Sequence, residues 1–179
     1  MSNQQDLIKR AEKIRLVIFD VDGVLTDGGL YRGDDGQETK RFHSRDGLGM
    51  SLLRDSGVDI AFITGRTSNV VEHRAAELKI QHVYQGKREK LPAFEALCEE
   101  LGIRHDEVAY MGDDLIDLSV LVRVGLALTV SDAHPEVIKR AHWVSHYPGG
   151  KGAAREACEM ILQYQGRWDA ILAKYLGSD

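Results

Sequence analysis

Six short apolar runs, each of strand length and each lacking the polar alternation of a half-exposed strand, limit what this chain can become. They are RLVIFD (15–20), VDIAFIT (58–64), HVYQ (82–85), EVAYMGD (107–113), LALTVSD (126–132) and HWVS (142–145). Amphipathic, helix-like segments fall around them at 4–14, 46–56, 67–79, 88–101, 114–123 and 134–141. A strand that is apolar on both faces needs cover on both sides. The order therefore predicts an α/β fold, a doubly wound parallel sheet between helix layers. Ligands in such sheets bind beyond the carboxyl ends of the strands.

One segment breaks the alternation. GLYRGDDGQETKRFH (29–43) has two short arms around the turn signal GDDG, with Leu30, Tyr31 and Phe42 as its apolar residues, and predicts a β-hairpin projecting from the core. At 179 residues, without repeats or an interdomain linker, the chain is expected to be one domain over 1–179, with the hairpin at about 29–43 and a helical tail at about 150–179. A formal charge of −5 argues against nucleic acid as a partner. Cys98 and Cys158 lack CxxC spacing and are expected to be reduced core thiols. The two histidines of HWVSH (142–146) fall on one side of a short strand but lack further ligands for zinc. No apolar run reaches membrane-spanning length and the charged start has no signal-peptide core, so a cytoplasmic protein is expected.

The ends of the strands carry the chemistry. The first runs into VIFDVDGVLTD, which sets Asp20, Asp22 and Asp27 close together. A lone DxD is weak, because acidic turns are common. Here the second strand ends in ITGR, bringing the Thr64 hydroxyl and the Gly65 amide to the same rim, and the fourth ends in GDDLID with Asp113, Asp114 and Asp117. The basic run GKREK, with Lys87 and Lys90, follows the third. Repelling carboxylates become tolerable when they share a cation, and an all-oxygen set with water suits Mg²⁺. A hydroxyl, backbone amides and a lysine suit a phosphate.

DVDGVLTD, ITGR, Lys90 and GDDLID together resemble the four motifs of the haloacid dehalogenase (HAD) superfamily of phosphotransferases. FHSRDGLGM, YQGKREKL, AYMGDDLID, VSDAHP and GGKGAAREACEMIL are similar, more specifically, to its 3-deoxy-D-manno-octulosonate 8-phosphate phosphatase family, which serves lipopolysaccharide precursor synthesis. The resemblance implies Asp20 as nucleophile and Asp22 as general acid and base. Asp20, the Asp22 carbonyl and Asp113 would ligate Mg²⁺, with Asp114 and Asp117 holding waters or Lys90 from behind. Thr64 and Lys90 would bind the phosphoryl oxygens, Lys90 being preferred to Lys87 because the family pattern puts the lysine just before the leucine that opens the helix core. His43, Ser44, Arg45, Asp46 and Gly47 would line the substrate site, with Arg66 and Arg74 as possible carboxylate or phosphate contacts. Ser51 stands where relatives often carry a basic residue.

Relatives acting on small molecules usually insert a cap domain after the first or second motif. Only 43 residues separate Asp20 from Thr64 and 25 separate Thr64 from Lys90, so no cap domain is expected. Walls for a small substrate then come from a second chain. The resemblance implies a homotetramer with hairpins at its centre and Gly149–Gly152 approaching a neighbouring active site. Two alternatives are a phosphatase for another keto-sugar acid phosphate, such as a sialic-acid-type 9-phosphate, and a phospho-receiver signalling domain. A receiver carries its phosphorylated Asp on a middle strand, whereas DxDGV here follows the first.

Overall fold

A computed structural model describes residues 3–177. After α1 (Asn3–Ala11) come β1 (Leu16–Phe19), the short arms β2 (Tyr31–Arg32) and β3 (Glu38–Thr39), and α2 (Ser44–Asp55). Then follow β4 (Asp59–Ile63), α3 (Asn69–Glu77), β5 (His82–Tyr84), α4 (Leu91–Leu101) and β6 (Val108–Met111). The chain continues through α5 (Leu118–Leu121), β7 (Leu126–Thr129), α6 (Pro135–Ile138) and β8 (Trp143–Val144), and closes with α7 (Ala153–Tyr164) and α8 (Trp168–Leu176). The predicted tail is thus two helices, its residues 178 and 179 lying outside those described.

Among the described residues the main sheet has six strands in the order β5-β4-β1-β6-β7-β8, and every pairing in it is parallel. All four residues of β1, β6 and β7 are buried, as expected of strands covered on both faces. The chain runs outward from β1 to β4 and β5, then returns across β1 to build β6, β7 and β8. The switch point of the topology therefore lies at β1, where a crevice opens beyond the strand ends. Register fixes what meets there. Phe19 pairs with Phe62 and with Met111, and Ile63 with Tyr84, so Asp20, Thr64 and the loop after Met111 leave the sheet at one level. The ladder extends one step further on both sides, the Asp20 amide donating to Met111 O at 2.9 Å and the Thr64 amide to Tyr84 O at 2.9 Å.

The hairpin forms as expected, Tyr31 pairing with Thr39 and Arg32 with Glu38. Its apolar residues divide, however. Leu30 and Tyr31 are exposed at 59% and 46%, whereas Phe42 packs on the core and lies under the Arg74 guanidinium, 5.7 Å from its ring centre. Cys98 and Cys158 are buried free thiols, both pushed upward by burial, Cys98 to about 11. His142 Nδ1 accepts the Ala127 amide while His146 pairs with Glu156, so the two histidines of HWVSH turn to different partners. No helix among the described residues is long and apolar enough to cross a membrane.

Candidate active site

Asp20 stands at the switch point, buried, its Oδ1 2.8 Å from Lys90 Nζ. Lys90 enters from the residue before α4 and is fully buried, whereas Lys87 is exposed. The Lys90 ammonium also donates to Asp117 Oδ1 at 2.6 Å and to the Tyr110 hydroxyl at 3.1 Å. Burial pulls this ammonium down, but Asp20 and Asp117 outweigh it and hold Lys90 above the ordinary lysine value.

Asp117 is saturated with donors. Its Oδ1 takes Lys90 and the Tyr110 hydroxyl (2.5 Å), and its Oδ2 takes the amides of Asp113 (2.9 Å) and Asp114 (3.1 Å). Gly112 makes this fold-back feasible, since a Cβ there would stand 2.4 Å from the Asp117 carboxyl carbon. Asp114 caps the turn that follows it, its Oδ1 accepting the Leu115 amide, and is exposed.

Asp113 lies opposite, against the loop after β1. Gly23, at φ +90°, leaves it room, because a Cβ there would fall 2.1 Å from Asp113 Oδ2. Ligand oxygens of Asp20, Asp113 and Asp117 lie within 4.8 Å of one another. Three carboxylates face one ammonium, so the cluster lacks positive charge. Burial and then Asp117 push Asp20 up to about 7, and burial and then Asp20 push Asp113 up to about 8. With Asp117 already saturated, Asp20 and Asp113 are the acids with coordination left to give. That hard, oxygen-only, charge-deficient pair fits Mg²⁺.

The remaining candidates are dispersed. Thr64 is buried at the end of β4, its Oγ1 accepting the Arg66 amide at 3.5 Å. Asp22 Oδ1 is held by the buried Lys40. Arg66 pairs with Glu38 on the hairpin at 3.1 Å. His43 caps α2, and Ser44 and Arg45 are exposed on its first turn. Arg45 borders a cavity of about 610 Å³ together with Tyr147, Lys151 and Arg155. Asp46, by contrast, is buried, its Oδ1 accepting the Arg155 amide at 2.8 Å, which ties α2 to the start of α7. Gly47 is buried beneath Arg74, which pairs with Glu77 and covers Phe42. The 149–150 glycines are held within the same chain, Gly150 donating to Val24 O and Gly149 to Asp132 Oδ1, both at 2.9 Å.

Lys40 and Tyr110 were not anticipated. Both had a signal. Tyr110 is the one hydroxyl within the apolar run VAYM, and Glu38, Lys40 and Phe42 share one face by strand alternation.

Residues 80–156 match the model of the haloacid dehalogenase-like hydrolases. Over 164 residues, 92% of this chain and 87% of the relative, the sequence is 51% identical to 3-deoxy-D-manno-octulosonate 8-phosphate phosphatase KdsC of Escherichia coli (strain K12). The chain belongs to the HAD-type 3-deoxy-D-manno-octulosonate 8-phosphate phosphatase family. Solved structures agree. The Yersinia pestis 3-deoxy-D-manno-octulosonate 8-phosphate phosphatase superposes with a TM-score of 0.90 at 48% identity, covering 92% of this chain and 89% of that one. The Moraxella catarrhalis enzyme of the same name, in complex with a magnesium ion, a phosphate ion and a KDO molecule, gives 0.94 at 39% identity over 98% and 99%. The parallel sheet is that of the family, and among the described residues no cap domain interrupts it.

Proposed function

We propose that this chain is a Mg²⁺-dependent phosphomonoester hydrolase that removes phosphate from 3-deoxy-D-manno-octulosonate 8-phosphate, in lipopolysaccharide precursor synthesis. The observation that carries this reading is the buried carboxylate Asp20 at the switch point, faced by Lys90 and Asp113, in a chain about half identical to enzymes of that name. Asp20 attacks phosphorus, and the phosphorus–oxygen bond to the sugar breaks as the Asp22 carboxyl gives its proton to the leaving alkoxide. Water then attacks the aspartyl-phosphate, Asp22 takes its proton back, and inorganic phosphate leaves with Asp20 restored. Lys90 and the Thr64 hydroxyl bind the phosphoryl oxygens. Asp20, Asp113 and the Asp22 carbonyl would hold the Mg²⁺, which when bound supplies positive charge against the transferring group.

His43, Ser44, Arg45 and Arg66 remain the contacts for the sugar acid. Asp46, Gly47 and Arg74 act from beneath, through the packing of α2 against α3 and α7. The chain works as one domain, in the cytoplasm, without nucleic acid as a partner. It assembles as a homotetramer through its hairpins, a reading supported by the uncapped site and by exposed Leu30 and Tyr31.

A substrate panel tests the assignment. The 8-phosphate should exceed sialic-acid-type 9-phosphates and hexose phosphates in kcat/KM by about tenfold or more. Preference for a 9-phosphate would move the protein to the alternative substrate, and no phosphatase activity in the presence of Mg²⁺ would sink the reading altogether.

A further inference from the structure

Lys40 has no part in the mechanism above, yet its side chain is 1% exposed. It lies one residue beyond β3, on the face of that arm turned toward the body. Its ammonium donates to Asp22 Oδ1 and stands 3.7 Å from Glu38 Oε1, the same oxygen that pairs with Arg66. Charges therefore alternate along Arg66, Glu38, Lys40 and Asp22, from the loop after β4, through the hairpin, to the loop after β1. A lysine is buried this deeply only where it is paired. Glu38 alone could serve as an anchor for the arm, so the contact to Asp22 needs its own account.

The two oxygens of Asp22 are not equivalent. Oδ1 is held by Lys40, whereas Oδ2 is buried and has no hydrogen-bond partner among the described residues. An orphaned buried carboxylate oxygen is costly, which marks Oδ2 as the oxygen reserved for a group that arrives from outside.

We propose that Lys40 is a positioning residue for proton transfer: by fixing Asp22 Oδ1 it makes Oδ2 the oxygen that gives the proton to the leaving alkoxide and takes it back from water. The inference rests on Asp22 as the acid and base of the reaction. It also gives the hairpin a task inside its own active site, since the residue that orients Asp22 is carried on the hairpin's second arm.

The test compares two esters. The sugar acid departs from its 8-phosphate as an alkoxide and needs a proton, whereas p-nitrophenyl phosphate releases a phenolate that does not. Lys40→Met keeps the aliphatic stem and removes the donor. It should slow kcat on the alkyl ester by about a hundredfold, the scale of general acid catalysis, with KM within about threefold. The first-turnover burst of nitrophenolate should keep its rate. Lys40→Arg should recover at least about a tenth of the alkyl rate. Equal loss in the alkyl rate and in the nitrophenolate burst would make Lys40 a mere strut of the hairpin, and no loss on the alkyl ester would show that Asp22 needs no anchor; either overturns the inference. If Lys40→Met does not fold, as judged by circular dichroism, Lys40→Gln, which removes the charge and shortens the reach to Asp22, carries the same comparison: a loss in the alkyl rate with the nitrophenolate burst intact supports the inference, and a loss in both or in neither overturns it. Asp22→Asn separates the two layers. An intact alkyl rate in that variant defeats the assignment of Asp22, whereas a dead Asp22→Asn beside a normal Lys40→Met defeats the inference alone.

Discussion

Lys90 Nζ lies 2.6 Å from Asp117 Oδ1, and neither side chain reaches solvent. The pair divides the acids of the site into two kinds. Asp117 spends both oxygens on four donors and holds Lys90 against Asp20, while Asp20 and Asp113 stay short of positive charge. Removing Asp117 leaves a buried ammonium with one carboxylate fewer and two backbone amides without an acceptor. Asp117→Ala should therefore cost about 3–5 kcal/mol, the scale for breaking a buried ion pair. Urea denaturation of the two proteins measures it, and a loss near zero would show that Lys90 does not depend on this partner.

Asp20→Asn should fold and melt like the parent yet lose turnover by about four powers of ten or more, because an amide cannot form the acyl-phosphate. Rapid-quench assays on the 8-phosphate decide the point. Near-normal turnover would remove Asp20 from the nucleophile's role.

Chelation bears on the pair that lacks charge. EDTA should abolish activity and Mg²⁺ restore it, and Mg²⁺ should raise the melting temperature of the metal-free protein, as any ligand of the native state does. Asp113→Ala should weaken Mg²⁺ binding by about tenfold or more in calorimetric titration. Full activity after exhaustive chelation would refute the site.

The sequence carried the strands, their parallel pairing and the acids at their ends, because buried parallel strands lack alternation and the candidate chemistry sits where each strand stops. It said less about side chains that leave those positions. HSRDG reads as one substrate loop, yet Asp46 turns inward to the α7 amides while Arg45 stays outside, a split set by helix rotation rather than by residue type. Phe42 looked like hairpin surface, but it shares the inward face of the arm with Glu38 and Lys40 and joins the core. Lys40 belongs to the same inward face, and the strong turn signal GDDG outweighs the short alternation of the second arm that marks it.

Asp46 supplies a pH test away from the carboxylates proposed to hold Mg²⁺. Burial raises its carboxyl, against the pull of the Arg155 and Gly152 amides. For an acid raised in the folded state, the stabilising share is complete below the unfolded value of about 4 and is lost as pH climbs through the folded one. Asp46→Asn keeps an oxygen for the Arg155 amide and cannot ionise. The melting temperature of the variant minus that of the parent should therefore increase from pH 4 to pH 7. A constant difference would show that Asp46 is not held above its ordinary value.

Assembly is the last test. The described chain has no cap domain, so the metal-side crevice of a lone subunit faces water. Hydrolysis by an open site would leave a sugar acid with few walls to recognise. The hairpin offers Leu30 and Tyr31 to solvent on a two-stranded unit whose outer edges are unpaired among the described residues, an arrangement suited to covering by other copies. Tyr31 is braced from its own side by Asp27, its hydroxyl donating to Oδ2 at 2.7 Å, so Leu30 is the cleaner place to break the contact. Light scattering should find a tetramer for the parent and a smaller species for Leu30→Glu, with KM for the 8-phosphate raised by about tenfold and the fold retained, as expected when packing contacts of a substrate wall are lost. A parent protein that is fully active as a monomer would overturn both the assembly and the need for a second chain at the site.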